Sequence, residues 1–327
     1  MVSNLEARPR ETPCGGRAAV AVEPVRDLHH GHAVALGGPR ALTVTRTLPN
    51  RDRRMVGAWC FADSFGPDRI GPGEPAGMQV PPHPHIGLQT VSWLVAGEVV
   101  HRDSLGSEQL ITPGGLNLMT AGLGIAHSER SVTRRSPVLH GVQLWTALPD
   151  RHRQVEPHFE HHSTLPVLTD GGLTLTVLMG EIGGHAAPAR IYSPLLGAEA
   201  AMAAGASARL PLDPDWEYAV LALAGTSRVD DVPLGPGPLR YLGRGRRELA
   251  VDADGPARLL LLGGEPFDEN IVMWWNFVGR DHDDIVAARA DWTSGSARFP
   301  AVPGDPDDRL PAPPMPTVRL RPRGPRR

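Results

Sequence analysis

The chain has 327 residues and a mass of 35.1 kDa, with 33 basic side chains, all arginine, against 36 acidic ones. A formal net charge of −3 argues against a dedicated nucleic-acid or membrane-surface protein. The 37 glycines and 34 prolines follow no collagen period, which disfavours a helical bundle and points to an all-β chain of short elements and many turns. Two cysteines, Cys14 and Cys60, are too few for a disulfide framework or a Cys-based zinc finger.

In chain order, residues 1–22 are polar and broken by Pro9 and Pro13, and read as a flexible N-terminus without a secretory h-region. No stretch reaches the length of apolar residues that spans a bilayer, so the chain reads as soluble, cytoplasmic and monomeric. Strand patterns follow at Ala41–Thr45, Leu88–Ala96, Gln109–Thr112, Leu116–Thr120, His140–Thr146 and Leu173–Leu178. Others lie at Trp216–Ala224, Leu239–Leu242, Glu248–Val251 and Arg258–Leu262. One helix is expected, His282–Ser294, with Ile285, Ala288 and Trp292 on one face and Gly295 to cap it.

A faint repeat links Trp93–Gly97, Asp103 and Pro113–Met119 to Leu221–Gly225, Asp230 and Pro236–Leu242. Strand, Gly, acidic turn, Pro-Gly and strand, seen twice, suggest two similar barrels in tandem. The reading is a first barrel over 23–165 and a second over 166–298 that includes the helix. The Pro- and Arg-rich stretch 299–327 reads as a solvated, disordered tail.

The sharpest chemical signal is Pro81-Pro82-His83-Pro84-His85. In an extended chain, residues i and i+2 share a face, so His83 and His85 can aim at one point. His127 and Glu129 repeat that spacing. On neighbouring strands of one barrel, these pairs would set three imidazoles and a carboxylate around a cavity. Such a donor set suits Fe, Mn, Co, Ni, Cu or Zn rather than Ca or Mg. The other histidines read more blandly. His101 is taken as a turn residue, with a place at the cavity mouth as the alternative. His29, His30 and His32 read as one solvated loop, and His158, His161 and His162 as another. Cys60, in the apolar run Trp59-Cys60-Phe61, reads as a buried structural thiol.

The run from His83 to Glu129, HPHIGLQTVSWLVAGEVVHRDSLGSEQLITPGGLNLMTAGLGIAHSE, resembles the pirin family of the cupin superfamily. Phe65-Gly66-Pro67, Gln143-Leu144-Trp145, Gly263-Gly264-Glu265-Pro266-Phe267 and Asn276-Phe277-Val278-Gly279 extend the resemblance over about 40–298. It implies a bicupin with one metal, usually iron, in the N-terminal barrel, bound by the residues matching His83, His85, His127 and Glu129. An offset of about 128 residues sets Pro211 and Asp213 against the first two histidines, so no metal is expected in the second barrel. Ile86 and Leu123 stand where family members often carry Arg, which removes positive charge near the site.

Two functions follow from the resemblance. One is a dioxygenase that opens flavonols such as quercetin with dioxygen and releases carbon monoxide, with Glu129 taking the substrate proton and Trp93, Met119 and Phe65 as candidate walls. The alternative is a non-enzymatic, iron-dependent regulator that binds a transcription factor or a metabolic enzyme.

Overall fold

The computed structural model describes residues 27–36, 42–71, 77–132, 136–305 and 309–326. The expectations for residues 1–22, including Cys14, lie outside that set. Short antiparallel strands build two barrels, each from a seven-stranded and a four-stranded sheet. In the first barrel, the large sheet runs in space through His158–His162, Leu116–Thr120, Leu88–Ala96, Val138–Ala147, Trp59–Arg69, Leu42–Leu48 and His32–Leu36. Its small sheet runs through Gln79–His85, Ile125–Ser131, Val99–Asp103 and Glu108–Ile111. The second barrel repeats the plan, with Ala206–Pro211 paired to Glu248–Ala253 where the first pairs Gln79–His85 to Ile125–Ser131.

Side-chain alternation decides which residues reach the chemistry. On Leu88–Ala96, Val91 and Trp93 enter the apolar cluster shared by both barrels, while Ser92 reaches Glu129. That cluster also holds Trp59, Leu116 and Leu144 of the first barrel against Leu221, Tyr241, Leu260 and Leu262 of the second. Trp59 crosses the boundary, its Nε1 donating to the Leu196 and Gly263 carbonyls at 3.0 and 3.2 Å. The second barrel is filled with aliphatic side chains, among them Leu175, Val220, Leu249 and Leu259. There the register runs one residue off the sequence offset: Leu210 and Leu212 face the core, while Pro211 and Asp213 are exposed.

The chain ends depart from the expected division. Asp27–His29 adds to the edge of the second barrel's large sheet, pairing with Leu239–Gly243. The helix His282–Ser294 forms where expected, capped by Asp281 and by Gly295 in a left-handed conformation. It does not close the second barrel, however. Ile285, Ala288 and Trp292 pack with the hairpin Val272–Gly279 against Ile86 and Ala126 of the first.

Nor is the stretch after residue 299 a free tail. Phe299 and Val302 are buried in the same cluster, and Leu310, Met315 and Leu320 pack on it. The Leu310 N–H donates to the Pro82 carbonyl, the Arg309 guanidinium lies 3.7 Å over the Trp292 ring, and Arg323 bridges to Ile271. Proline density excludes an independent core, but an extended strap needs none when a ready apolar face receives its side chains one at a time. Among the described residues, no helix is long and apolar enough to cross a membrane.

Candidate metal centre

The strand Gln79–His85 carries Pro81, Pro82 and Pro84, which lack backbone donors, and it lies at the edge of its sheet, where that loss is tolerated. It pairs with Ile125–Ser131 so that His83 stands opposite His127. The register shifts between His127 and Glu129, where Glu129 falls opposite Val80, so that Pro81 and Pro82 together oppose Ser128.

All four predicted residues are fully buried. His83, His85 and His127 meet, their ligand atoms mutually within 4.8 Å. A second trio within the same limit, His101, His127 and Glu129, overlaps the first through His127. The Ser92 hydroxyl lies 3.3 Å from Glu129 Oε1 and 3.1 Å from Gln143 Oε1. Burial, strengthened by the neighbouring imidazoles, holds His85 and His127 well below the ordinary histidine range and pushes His83 down to about 3. The three rings are therefore neutral at physiological pH and keep a lone pair each.

Ring orientation decides where those lone pairs point. His83 Nδ1 donates to the Pro81 carbonyl at 2.9 Å, and His85 Nδ1 to the Asn276 carbonyl at 3.0 Å. Asn276 follows Trp275, a bulky residue held at φ 54°, so the hairpin bends sharply to present that carbonyl. With Nδ1 occupied, each Nε2 is an acceptor facing inward. His83 Nε2 is buried without a hydrogen-bond partner, and His85 Nε2 and His127 Nε2 stand 3.1 Å apart. Converging lone pairs repel unless a cation lies among them. The spacing is close to that of adjacent ligands on one ion bound at about 2.1 Å from each nitrogen. The residues present fit a resident transition metal.

The surroundings differ from the sequence reading. His101 is no turn residue: it lies on Val99–Asp103, 1% exposed, with Nδ1 3.3 Å from His127 Nδ1. Its Nε2 lies 3.2 Å from Asp103 Oδ2. Burial alone would raise the Asp103 carboxyl, but the hydrogen bonds from His101 and the Ser107 N–H outweigh it and hold it low. The aromatic groups against the histidines are Trp145, edge-on to His85 at 5.2 Å, and Phe159, stacked on His101 at 4.4 Å. Trp93 and Met119 belong, with Trp145, to the inter-barrel cluster on which Phe159 packs, and Phe65 to a separate core. His158, His161 and His162 lie on a strand paired to Leu116–Thr120, and His29 and His32 are also strand residues. Cys60 is buried as expected, its thiol raised to about 12 by burial. A groove of about 410 Å³, lined by Val95, Thr174, Met202 and Arg258 among others, contains none of the candidate ligands.

The Pirin family profile matches residues 41–146, and the Pirin C-terminal cupin domain profile matches 197–300. A Pseudomonas aeruginosa protein is 48% identical over 284 residues, covering 87% of this chain and 89% of its own length. The chain belongs to the pirin family. The Pseudomonas relative is provisionally named a quercetin 2,3-dioxygenase. A pirin-like protein of Caulobacter vibrioides is 38% identical over 262 residues, covering 79% of this chain and 90% of that one. A crystal structure described as quercetin 2,3-dioxygenase from Acinetobacter baumannii superposes with a TM-score of 0.85 at 40% identity, covering 90% of this chain and 97% of the other. The first matched segment lies in the first barrel and holds both candidate ligand pairs, and the second spans most of the second barrel together with the hairpin and helix that follow it.

Proposed function

We propose that the first barrel holds one divalent metal ion, bound by His83, His85, His127 and Glu129, and that the protein opens quercetin-like flavonols with dioxygen. The observation that carries the reading is the convergence of three neutral, pre-oriented imidazoles on one buried point. The kinship with proteins named as quercetin 2,3-dioxygenases supplies the reaction. Iron is the ion that the family resemblance favours.

The bound ion would supply Lewis acidity toward the flavonol 3-hydroxyl and redox access to dioxygen. The chain's own contribution is positional. His83, His85 and His127 present lone pairs without competing protons. Glu129, beside Ser92, accepts the proton that leaves the substrate hydroxyl. The partly buried Phe159 ring, stacked on His101, borders the imidazoles and offers a flat aromatic substrate an apolar surface.

Metal analysis should find one tightly held ion per chain, and the Fe(II)-loaded protein should consume a flavonol and dioxygen in equal amounts. Glu129→Gln separates two roles. If Glu129 is the base, the iron-loaded variant binds flavonol but turns over about 10²–10⁴-fold more slowly. If it is only a ligand, iron and activity fall together, and excess Fe(II) restores both. Wild-type protein inert on a flavonol panel while fully loaded with iron would refute the dioxygenase reading and favour the non-enzymatic regulator.

A further inference from the structure

The three candidate imidazole ligands are not held alike. His83 and His85 donate from Nδ1 to backbone carbonyls, acceptors that never change role. The Nδ1 of His127 faces another imidazole, which can donate or accept, so the tautomer of His127 depends on what fixes His101.

Asp103 fixes it. Its Oδ1 accepts from the Leu105 and Ser107 N–H groups at 2.9 and 3.0 Å, which pins the carboxylate in its turn. Oδ2 is left toward His101 Nε2 at 3.2 Å. A carboxylate only accepts, so the proton of a neutral His101 must be on Nε2, and His101 Nδ1 becomes an acceptor. That acceptor stands 3.3 Å from His127 Nδ1, so the His127 proton must be on Nδ1. The metal-facing His127 Nε2 is then a bare lone pair. Asp103 and His101 are 0% and 1% exposed, so no solvent competes for these bonds.

We propose that Asp103 and His101 are positioning residues that set the His127 tautomer through a directed chain of two hydrogen bonds, making its Nε2 competent to ligate. The assignment concerns residues of this chain and rests on the metal-centre reading only for its purpose. Outer partners of this kind are worth about 10–100-fold in metal affinity.

The chain makes an unusual demand of Asp103→Asn, the closest replacement in shape. The new amide oxygen keeps the Leu105 and Ser107 N–H groups, so its NH₂ faces His101. His101 Nε2 must then accept, its proton moves to Nδ1, and the His127 proton is driven to Nε2, onto the metal-facing atom. Asp103→Ala leaves a gap that forces neither tautomer. The relay therefore ranks Co(II) affinity as wild type, then Asp103→Ala, then Asp103→Asn, with the last about 10–100-fold below wild type. A merely structural role ranks Asn above Ala.

Two measurements decide. Ring ¹⁵N NMR of metal-free, histidine-labelled wild type should show His127 protonated at Nδ1; protonation at Nε2 would overturn the relay whatever the variants do. Competition of Co(II) against a chelator should give the ranking above; Asp103→Asn binding as tightly as wild type, or more tightly than Asp103→Ala, would also overturn it. Failure of the metal-centre reading looks different. The wild type would then bind no Co(II) while the NMR still reported the His127 tautomer.

Discussion

Gly87 offers the sharpest perturbation of the support around the candidate metal strands. It follows His85 and Ile86 at φ 67°, and a Cβ there would sit 2.1 Å from the Val278 carbonyl oxygen, a separation that real Cβ atoms essentially never show. Gly87→Ala thus incurs the left-handed backbone cost of about 1–2 kcal/mol. It must also push the hairpin Val272–Gly279 away. That shift strains the Val278 N–H bond to the Ile86 carbonyl and the His85 Nδ1 bond to the Asn276 carbonyl, at about 1 kcal/mol each. Repacking around the added methyl costs about another 1 kcal/mol or more.

Gly205 is the control. Its φ of 73° is nearly the same, but nothing lies within 4 Å of a Cβ there, so Gly205→Ala bears the backbone cost alone. Of the roughly 4–5 kcal/mol expected at Gly87, about 3 kcal/mol belongs to the clash, or on the order of 5 °C in melting temperature between the two variants. Thermal melts followed by circular dichroism measure that gap, and Co(II) titration should show weakened binding only in Gly87→Ala. Melting points within about 1 °C of each other, with equal Co(II) affinity, would refute the claim that hairpin contact at this turn supports the site.

Two further outcomes follow from the same contacts. Arg130 binds Asp305 through two bonds of 2.7 Å, so Asp305→Ala should loosen the C-terminal strap by about 1 kcal/mol and speed amide exchange at Leu310, whose N–H bonds Pro82. The hydrogen bond from Arg130 holds the Asp305 carboxyl below the usual carboxylate range. Its stabilisation is therefore full above that range and lost as acid titrates it, and Leu310 exchange, corrected for intrinsic rate, should rise selectively below about pH 4. Trp59→Phe removes the donor that bonds the buried Leu196 and Gly263 carbonyls and should cost about 1–3 kcal/mol in denaturant unfolding; an unchanged midpoint would mean those carbonyls find other partners.

The legible parts of the sequence were those whose pattern and burial agree. Leu88–Ala96 and Leu116–Thr120 have the expected bounds because β-branched and apolar residues dominate them. The strand Leu195–Met202 escaped notice because Leu, Ala and Glu carry no strand signature. Its small residues answer a tertiary demand instead, since a Cβ on Gly197 would lie 2.9 Å from the Trp59 ring. His158–His162 read as a loop because four of its five residues are polar, although Phe159 is the one that stacks on His101. The i, i+2 spacing singled out the candidate ligand pairs. The same spacing joins His101 to Asp103, and applied there it would have placed both on one strand face. Asn276 had no such signal, because only its backbone carbonyl acts, nearly two hundred positions along the chain from His85.

The lasting asymmetry between the halves has a physical reading. The second barrel turns Leu210 and Leu212 into an apolar cluster, whereas the first turns His83 and His85 toward His127. The C-terminal segment nevertheless builds the outer wall of the site. The hairpin Val272–Gly279 supplies the carbonyl that orients His85, and the helix and strap cover the outer face of the strands bearing His83, His85 and His127. An edge strand with three prolines has few backbone bonds of its own to resist distortion. Rigid ligand placement therefore has to come from packing on its outer side. The chain that follows the second barrel thus holds the first barrel's candidate ligand strands in place.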